Sequence, residues 1–357
     1  MQGAVKTQKN IRWINYIRAI CCIMIYYIHA EEFFEFSIKG LSKYILPVYV
    51  NAYYFVSGYL LFKKQMPLIE NGNFQEGRKS FLLNILFRLV IASLIFSIIE
   101  FIPGSLLQRR DMSIQWLIEK TIWGRTYWFI SSLVSAELIL YGLFQSKIKN
   151  VWFYFITGIG LFAIGYILLL HHFRLTHLFE SNPWQFDKGL VAIVFIVFGG
   201  IYWKYETIID RYLRNTLLIF SAFLIYIVVI TLFNSHIKVL ISMSDINIEG
   251  VIISLLGIYI LVALCKLIQN NNKATDLLNA IGQNTIGLYF VSGAIPKVLM
   301  IILPKVFPKA NLPYMLFGFA SSFLLSCAAV SLMIRYTPFL FDLRNGKKVC
   351  INNKGNR

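Results

Sequence analysis

The sequence predicts an all-α, polytopic membrane protein of about ten transmembrane helices, with both termini on the cytoplasmic side. Three observations carry this. Hydrophobic residues fill 57% of the 357 positions and charged residues only 14%, more apolar surface than a water-soluble domain can hide. The apolar stretches recur along the whole chain, and no polar stretch between them is long enough to build a core of its own. Lysine and arginine, finally, divide unevenly between alternate connections.

A span needs roughly 20 mainly apolar residues, at about 1.5 Å rise each, to cross about 30 Å of hydrocarbon. Ten windows meet this, near 13–31, 44–62, 81–103, 127–145, 151–170, 189–203, 215–233, 250–268, 284–303 and 314–334. The first follows Lys6, Lys9 and Arg12, a basic start like that of a secretory signal. No small-x-small cleavage pattern follows it and nine further spans do, so the segment is expected to be retained. The longest connections, 63–80 and 104–126, are too short for a soluble domain. A single membrane domain over 1–340 with a basic cytoplasmic tail over 341–357 is therefore expected. Trp116, Trp123, Tyr127 and Trp128 crowd the stretch from Ser113 to Trp128, amphipathic rings that suit a helix lying at the headgroup level. No internal repeat is visible, which weighs against transporters built from two similar halves.

A formal charge of +17 raises the question of nucleic acid, and its placement answers it. With the termini inside, 20 of the 34 lysines and arginines fall on the cytoplasmic side, counting Lys266 at the inner end of the eighth window, and 11 in outer loops, while Arg18, Arg88 and Lys297 lie deeper within spans. This is the positive-inside bias that orients membrane proteins. The basic residues form no surface interleaved with aromatics, which argues against a nucleic-acid partner. Cys21, Cys22, Cys265, Cys327 and Cys350 lie in spans or on the cytoplasmic side and imply no disulfide framework. Without a basic partner in view, Cys21 and Cys22 read as small apolar residues.

Ionisable groups at membrane depth are costly, so each is a functional candidate. The first span holds Arg18 and His29. Eleven helical positions bring them within about 20° of each other around the helix and about 16 Å apart along it. One face thus carries a cation near the cytoplasmic side and an imidazole farther out. A snorkelling arginine and an interfacial histidine are the competing explanation, and spacing alone does not decide between them.

The run Tyr16-Ile17-Arg18-Ala19-Ile20, the ten residues between Arg18 and His29, and Tyr54-Phe55-Val56-Ser57-Gly58-Tyr59 together resemble the acyltransferase-3 family of membrane acyltransferases. Trp128-Phe129-Ile130 resembles the family's Trp-Phe-Leu element. Gly199-Gly200 and Gly282-Gln283-Asn284-Thr285-Ile286-Gly287-Leu288-Tyr289-Phe290 are similar to recurrent family patterns. The likeness runs in order along nearly the whole chain, and the arginine–histidine spacing is its most specific part. It implies about ten membrane helices and transfer of an acyl group, usually acetyl from acetyl-CoA, onto a cell-surface or lipid-linked glycan at a bacterial cytoplasmic membrane. Some such proteins add an extracytoplasmic hydrolase-like domain; this chain has none, so transfer is expected to finish inside the membrane domain.

Two positions depart from the pattern. Span nine reads Tyr289-Phe290-Val291-Ser292 where the family often has a histidine, and Arg78-Lys79 with a lone Arg88 stand where closely spaced arginines are common. The expected roles follow from chemistry. A sugar hydroxyl attacking a thioester is a poor nucleophile, and an imidazole with pKa near 6.5 can take its proton; His29 is the candidate. Coenzyme A carries phosphates, which arginine binds through a planar fork of donors. Arg18, Arg78, Lys79 and Arg88 are the candidates. Ser57, Gly58, Tyr59, Trp128 and Glu137 are expected to support the site. Glu137 is read as a structural partner of Arg88 or a buried hydrogen-bonded acid ahead of a catalytic group.

Glu31, Glu32 and Glu35 follow His29, either as a solvated loop face or as a carboxylate holding the imidazole in one tautomer. His171, His172, His177 and Asp187 fall in one outer loop without recognised metal-ligand spacing. Neither a metal nor a permanently bound cofactor is expected; acyl-CoA, glycan and membrane lipid are the partners. The competing function is export of a polysaccharide or lipid-linked glycan, which paired broken helices would favour and which none in the sequence indicates. A sensory or structural protein, with accidental Arg18–His29 spacing, is the third reading.

Overall fold

The computed structural model describes residues 11–38, 40–108, 113–233, 236–237, 239–240, 245–268, 272–305 and 311–341. Lys6, Lys9, Cys350 and the basic tail after 341 lie outside the described residues. Helices occupy all ten predicted windows: α1 (Arg12–Phe33), α3 (Asn51–Glu70), α4 (Phe74–Ile85) with α5 (Ile91–Gln108), α7 (Trp128–Phe144), α8 (Val151–Leu170), α9 (Phe186–Lys204), α11 (Thr216–Phe233), α12 (Ile248–Leu267), α14 (Thr285–Val291) with α15 (Ala294–Ile302), and α16 (Leu312–Tyr336). Between them lie the short helices α2 (Leu41–Ile45), α6 (Ile114–Lys120), α10 (Glu206–Leu213) and α13 (Lys273–Gln283), and one antiparallel pair of two-residue strands, Val239–Leu240 with Asp245–Ile246. Asn150, Asn247 and Asn311 each accept a backbone N–H from the first turn of α8, α12 and α16, the exchange that makes asparagine a good helix start.

By length and composition, six helical stretches suit a membrane crossing: Gly77–Phe101, Val151–Leu170, Pro183–Lys204, Thr216–Phe233, Ile248–Leu267 and Leu312–Tyr336. Thr285–Val291 with Ala294–Lys305, bent by 44°, makes up to seven. This is fewer than the ten expected. α1 and α3 have the length, at 22 and 20 residues, but carry Arg18 and His29, and Lys63 and Lys64; α7 is short at 17 residues.

The connection expected over 63–80 is also mostly helical. α3 continues to Glu70 and α4 begins at Phe74, because lysine, glutamine and glutamate end an apolar stretch without ending a helix. The stretch expected to hold an interfacial helix contains the short helix α6, with Ser113 accepting from Trp116 N at its start.

α9 is the centre of the bundle, 72% buried over its most apolar window, against 22% for each of α8, α11 and α16. α3, α7 and α8 pack around α9, while α12, α13 and α16 pack on α1. Lipid gives helices no hydrophobic reason to associate, so close backbone packing matters more than in water. Glycines supply it. A Cβ on Gly58 would lie 2.0 Å from the Ile196 carbonyl oxygen, and one on Gly199 2.1 Å from that of Phe55. One on Gly282 of α13 would lie 2.0 Å from the Asn15 carbonyl oxygen of α1.

Gly58→Val should therefore part α3 from α9 and cost about 1–3 kcal/mol of stability, seen as a lower melting temperature in detergent. Gly160→Ala, where an added Cβ meets nothing within 4 Å, should melt with the wild type; equal melting of all three proteins would refute this packing.

Candidate active site

One cavity of about 900 Å³ opens among α1, α3, α5, α6, α7, α14 and α15. His29 lines it from the last turns of α1, its side chain 32% exposed. Tyr49 and Tyr53 face it from the α3 side, Trp116 and Lys120 from α6, and Tyr127, Trp128 and Phe129 from the start of α7. The last three are held by a turn in which Gly124 has a φ of +78°, a conformation that suits glycine. Ser131 Oγ donates to the Gly124 carbonyl at 2.7 Å and fastens that turn to α7.

The acidic run divides by role. Glu31 accepts from Tyr27 Oη at 2.5 Å and from the Ile38 N–H at 3.2 Å, so it closes the chain reversal after α1. Glu32 Oε2 stands 3.8 Å from His29 Nδ1, within ion-pair range but beyond a hydrogen bond. Glu35 is exposed.

Arg18 does not line the cavity. α1 is an uninterrupted helix from Arg12 to Phe33, so the separation of about 16 Å from His29 stands. Tyr53, a wall of the cavity, donates to the Arg18 carbonyl at 2.8 Å and so ties the cavity wall to the backbone at Arg18. Arg18 forms no ion pair among the described residues, yet Arg88 and Glu137 are within electrostatic reach. Arg88 sits in a π-helical segment, Leu86–Val90, that joins α4 to α5; such single turns of π-helix recur at functional sites. Glu137 accepts from Ser57 Oγ at 2.5 Å and forms no ion pair with Arg88 among the described residues, so it is the hydrogen-bonded acid rather than the arginine's partner. Arg78 and Lys79 are exposed on α4, about 14–15 Å along the helix from Arg88 and away from the cavity.

The span-two motif thus splits by direction. Ser57 turns to Glu137, Gly58 to the backbone of α9, and Tyr59 donates to Glu206 Oε2 at 2.7 Å. That carboxylate belongs to a cluster in which Lys266 Nζ meets Glu206 at 2.7 Å and Asp210 at 2.7 Å. Tyr59 is a partner of this cluster and, like Ser57, Gly58 and Glu137, does not line the cavity. Of the five residues expected to support the site, Trp128 lines it.

A group that the sequence gave no reason to join is Glu100, Tyr127 and Lys297. Lys297 Nζ is 2.7 Å from Glu100 Oε1, and Tyr127 Oη is 3.1 Å from Glu100 Oε2. All three line the cavity with His29, although Glu100 and Lys297 are 197 residues apart. The outer histidines do not join Asp187. They are exposed, while Asp187 lies in the first turn of α9 and accepts from Asn182 Nδ2 at 2.9 Å. No metal-holding group of three or more His, Cys, Asp or Glu occurs among the described residues. Cys21, Cys22, Cys265 and Cys327 are free thiols.

The arrangement puts an imidazole at the wall of an aromatic-rich cavity and Arg18 about 16 Å along the same helix, with Arg88 of a neighbouring segment within electrostatic reach of it. A family model described as an acyltransferase domain, that of acyltransferase-3, matches residues 11–331. No curated protein and no solved structure matches the chain.

If Ser57 holds Glu137 at membrane depth, Ser57→Ala and Glu137→Gln should be non-additive. A double-mutant cycle on unfolding in detergent should give a coupling of about 1 kcal/mol. Strict additivity would mean that the contact contributes nothing.

Proposed function

The chain belongs to the acyltransferase-3 family of membrane acyltransferases, and from that premise we propose that it transfers an acyl group, acetyl from acetyl-CoA, onto a hydroxyl of a cell-surface or lipid-linked carbohydrate. The observation that carries this reading is the position of His29, on the wall of an aromatic-lined cavity and about 16 Å along α1 from Arg18. The family match gives no support to glycan export. The structure does contain one broken helix, α14–α15, but no counterpart to it among the described residues, where an inverted-repeat transporter has a pair.

In this reaction the acceptor oxygen attacks the thioester carbonyl carbon, and His29 takes the hydroxyl proton as the C–O bond forms. The C–S bond then breaks, and the proton passes from the imidazole to the departing coenzyme A sulfur. Glu32, 3.8 Å from Nδ1, favours the proton on that nitrogen by its charge and leaves Nε2 as the base. Arg18 and Arg88 take the donor's phosphates on the cytoplasmic side, Arg78 and Lys79 draw the anion toward them, and the pantetheine arm passes Tyr53 to reach His29. Trp128 and its neighbouring rings provide flat apolar surface with polar edges for the acceptor.

The same reading sets ten spans, both termini inside, in a bacterial cytoplasmic membrane. Cysteines introduced at Lys9 and Lys354 should label only from the cytoplasm, and those at His171 and Lys238 from outside; Lys9, Lys238 and Lys354 lie outside the described residues. Labelling of Lys9 or Lys354 on intact cells would overturn that topology.

His29→Ala should lower acyl transfer by about 10²–10⁴-fold with expression and membrane insertion intact. Arg18→Ala should chiefly raise the KM for the thioester, and Arg18→Lys should recover it only in part. Undiminished transfer by His29→Ala would remove the imidazole from the mechanism.

A further inference from the structure

The ion pair on the cavity wall is unexplained by the reaction just described. Glu100 comes from α5, Lys297 from α15 and Tyr127 from the turn before α7, so three separate parts of the bundle converge on it. A structural clasp would not need this chemistry, since apolar residues of similar size replace a buried ion pair at little cost or with a gain in stability. Charges kept within the bundle, facing a cavity, mark a place where something polar is bound.

The pair has binding capacity to spare. Its side chains keep 27% (Lys297) and 15% (Glu100) exposure. An ammonium group has three N–H donors and a carboxylate about four acceptor sites, whereas Lys297 Nζ spends one proton on one lone pair of Glu100, and Tyr127 Oη shares its single proton between Glu100 Oε2 at 3.1 Å and the Phe290 carbonyl at 2.9 Å. The pair therefore offers donors and acceptors side by side, the complement of neighbouring sugar hydroxyls, each of which donates and accepts. The backbone makes room for it. α14 and α15 are bent by 44° at their junction, where Gly293 lines the cavity and an added Cβ would come 3.3 Å from Glu100 Oε1. Tyr289 and Trp128 complete the surroundings with aromatic faces that accept the C–H side of a pyranose.

We propose that Glu100, Lys297 and Tyr127 form the acceptor-orienting subsite, gripping two adjacent hydroxyls of the sugar and so selecting which other hydroxyl reaches His29. This rests on the carbohydrate-acceptor reading above. The three are positioning residues: they act on where the acyl group goes, and the thioester chemistry remains with His29.

The test exchanges the charges, Glu100→Lys with Lys297→Glu, which keeps an ion pair between α5 and α15 but transposes donor and acceptor. The full-length variant replaces the wild-type protein in its own cells, and the acyl groups on the extracted envelope polysaccharide are assigned to ring positions by NMR. The share at the wild-type position relative to other positions should fall about tenfold or more. Arg18→Ala should reduce the total without moving it. An unchanged positional ratio in the exchange variant, at whatever total yield, would overturn the subsite. Should the exchange give no product, Tyr127→Phe, which keeps the ring and the ion pair, decides by the same ratio: a fall supports the subsite and constancy overturns it. Polysaccharide free of any acyl group dependent on the wild-type protein would instead sink the carbohydrate reading, and the subsite with it.

Discussion

The interior of a bilayer has no water to satisfy a hydrogen-bonding group, and this constraint shapes the whole molecule. Backbone groups are met by making nearly every described segment helical. Side chains must find each other across helices: Asn15 Nδ2 donates to Asn279 Oδ1 at 2.8 Å, Asn51 Nδ2 to Ser254 Oγ at 3.0 Å, and Tyr226 Oη to the Tyr44 carbonyl at 2.7 Å. These cross-links fix α1 against α13 and α3 against α12. Polar groups facing the cavity, His29 among them, are those that can meet a substrate. The one sharply bent helix pair is also at the cavity, where irregular backbone in a membrane protein can be tolerated.

α1 carries both Arg18 and His29. Its N-terminal half is gripped by α13 through the contact of Gly282 with the Asn15 backbone. Its C-terminal end is packed through Phe34 and Tyr27 against Tyr314 and Phe319 of α16. A helix held at both ends keeps Arg18 and His29 at a fixed separation. Tyr53 links the two regions, since it touches the Arg18 backbone while forming part of the cavity wall.

Much of this was legible in the sequence because hydropathy is a local property. The ten windows coincide with helices, α6 was expected at the interface, and the motif residues His29 and Trp128 do reach one cavity. Partner choice was less legible, because it depends on how distant segments meet. Gly58, Gly199 and Gly282 read as a family pattern, but only the packed helices reveal that each removes a Cβ from a backbone crossing. Tyr59, adjacent in sequence to the Ser57 pair, points to Glu206 because successive helical positions face about 100° apart. Nothing in the local sequence pairs Glu100 with Lys297, and the π-helical turn at Arg88 leaves no compositional trace. Length and composition alone pick out six or seven of the ten windows as spans for a related reason: Arg18, His29, Lys63 and Lys64 lower the hydropathy of α1 and α3, two of the helices around the cavity.

The central claim is that an acyl group, and not a whole glycan, crosses the barrier. Purified protein in liposomes, with labelled acetyl-CoA on the face bearing Arg78 and Lys79 and candidate glycans on the other, tests it directly. The account predicts labelled glycan on the far side and free coenzyme A on the near side, both lost with His29→Ala. Passage of unmodified glycan without consumption of thioester, in the wild type and in His29→Ala alike, would contradict it.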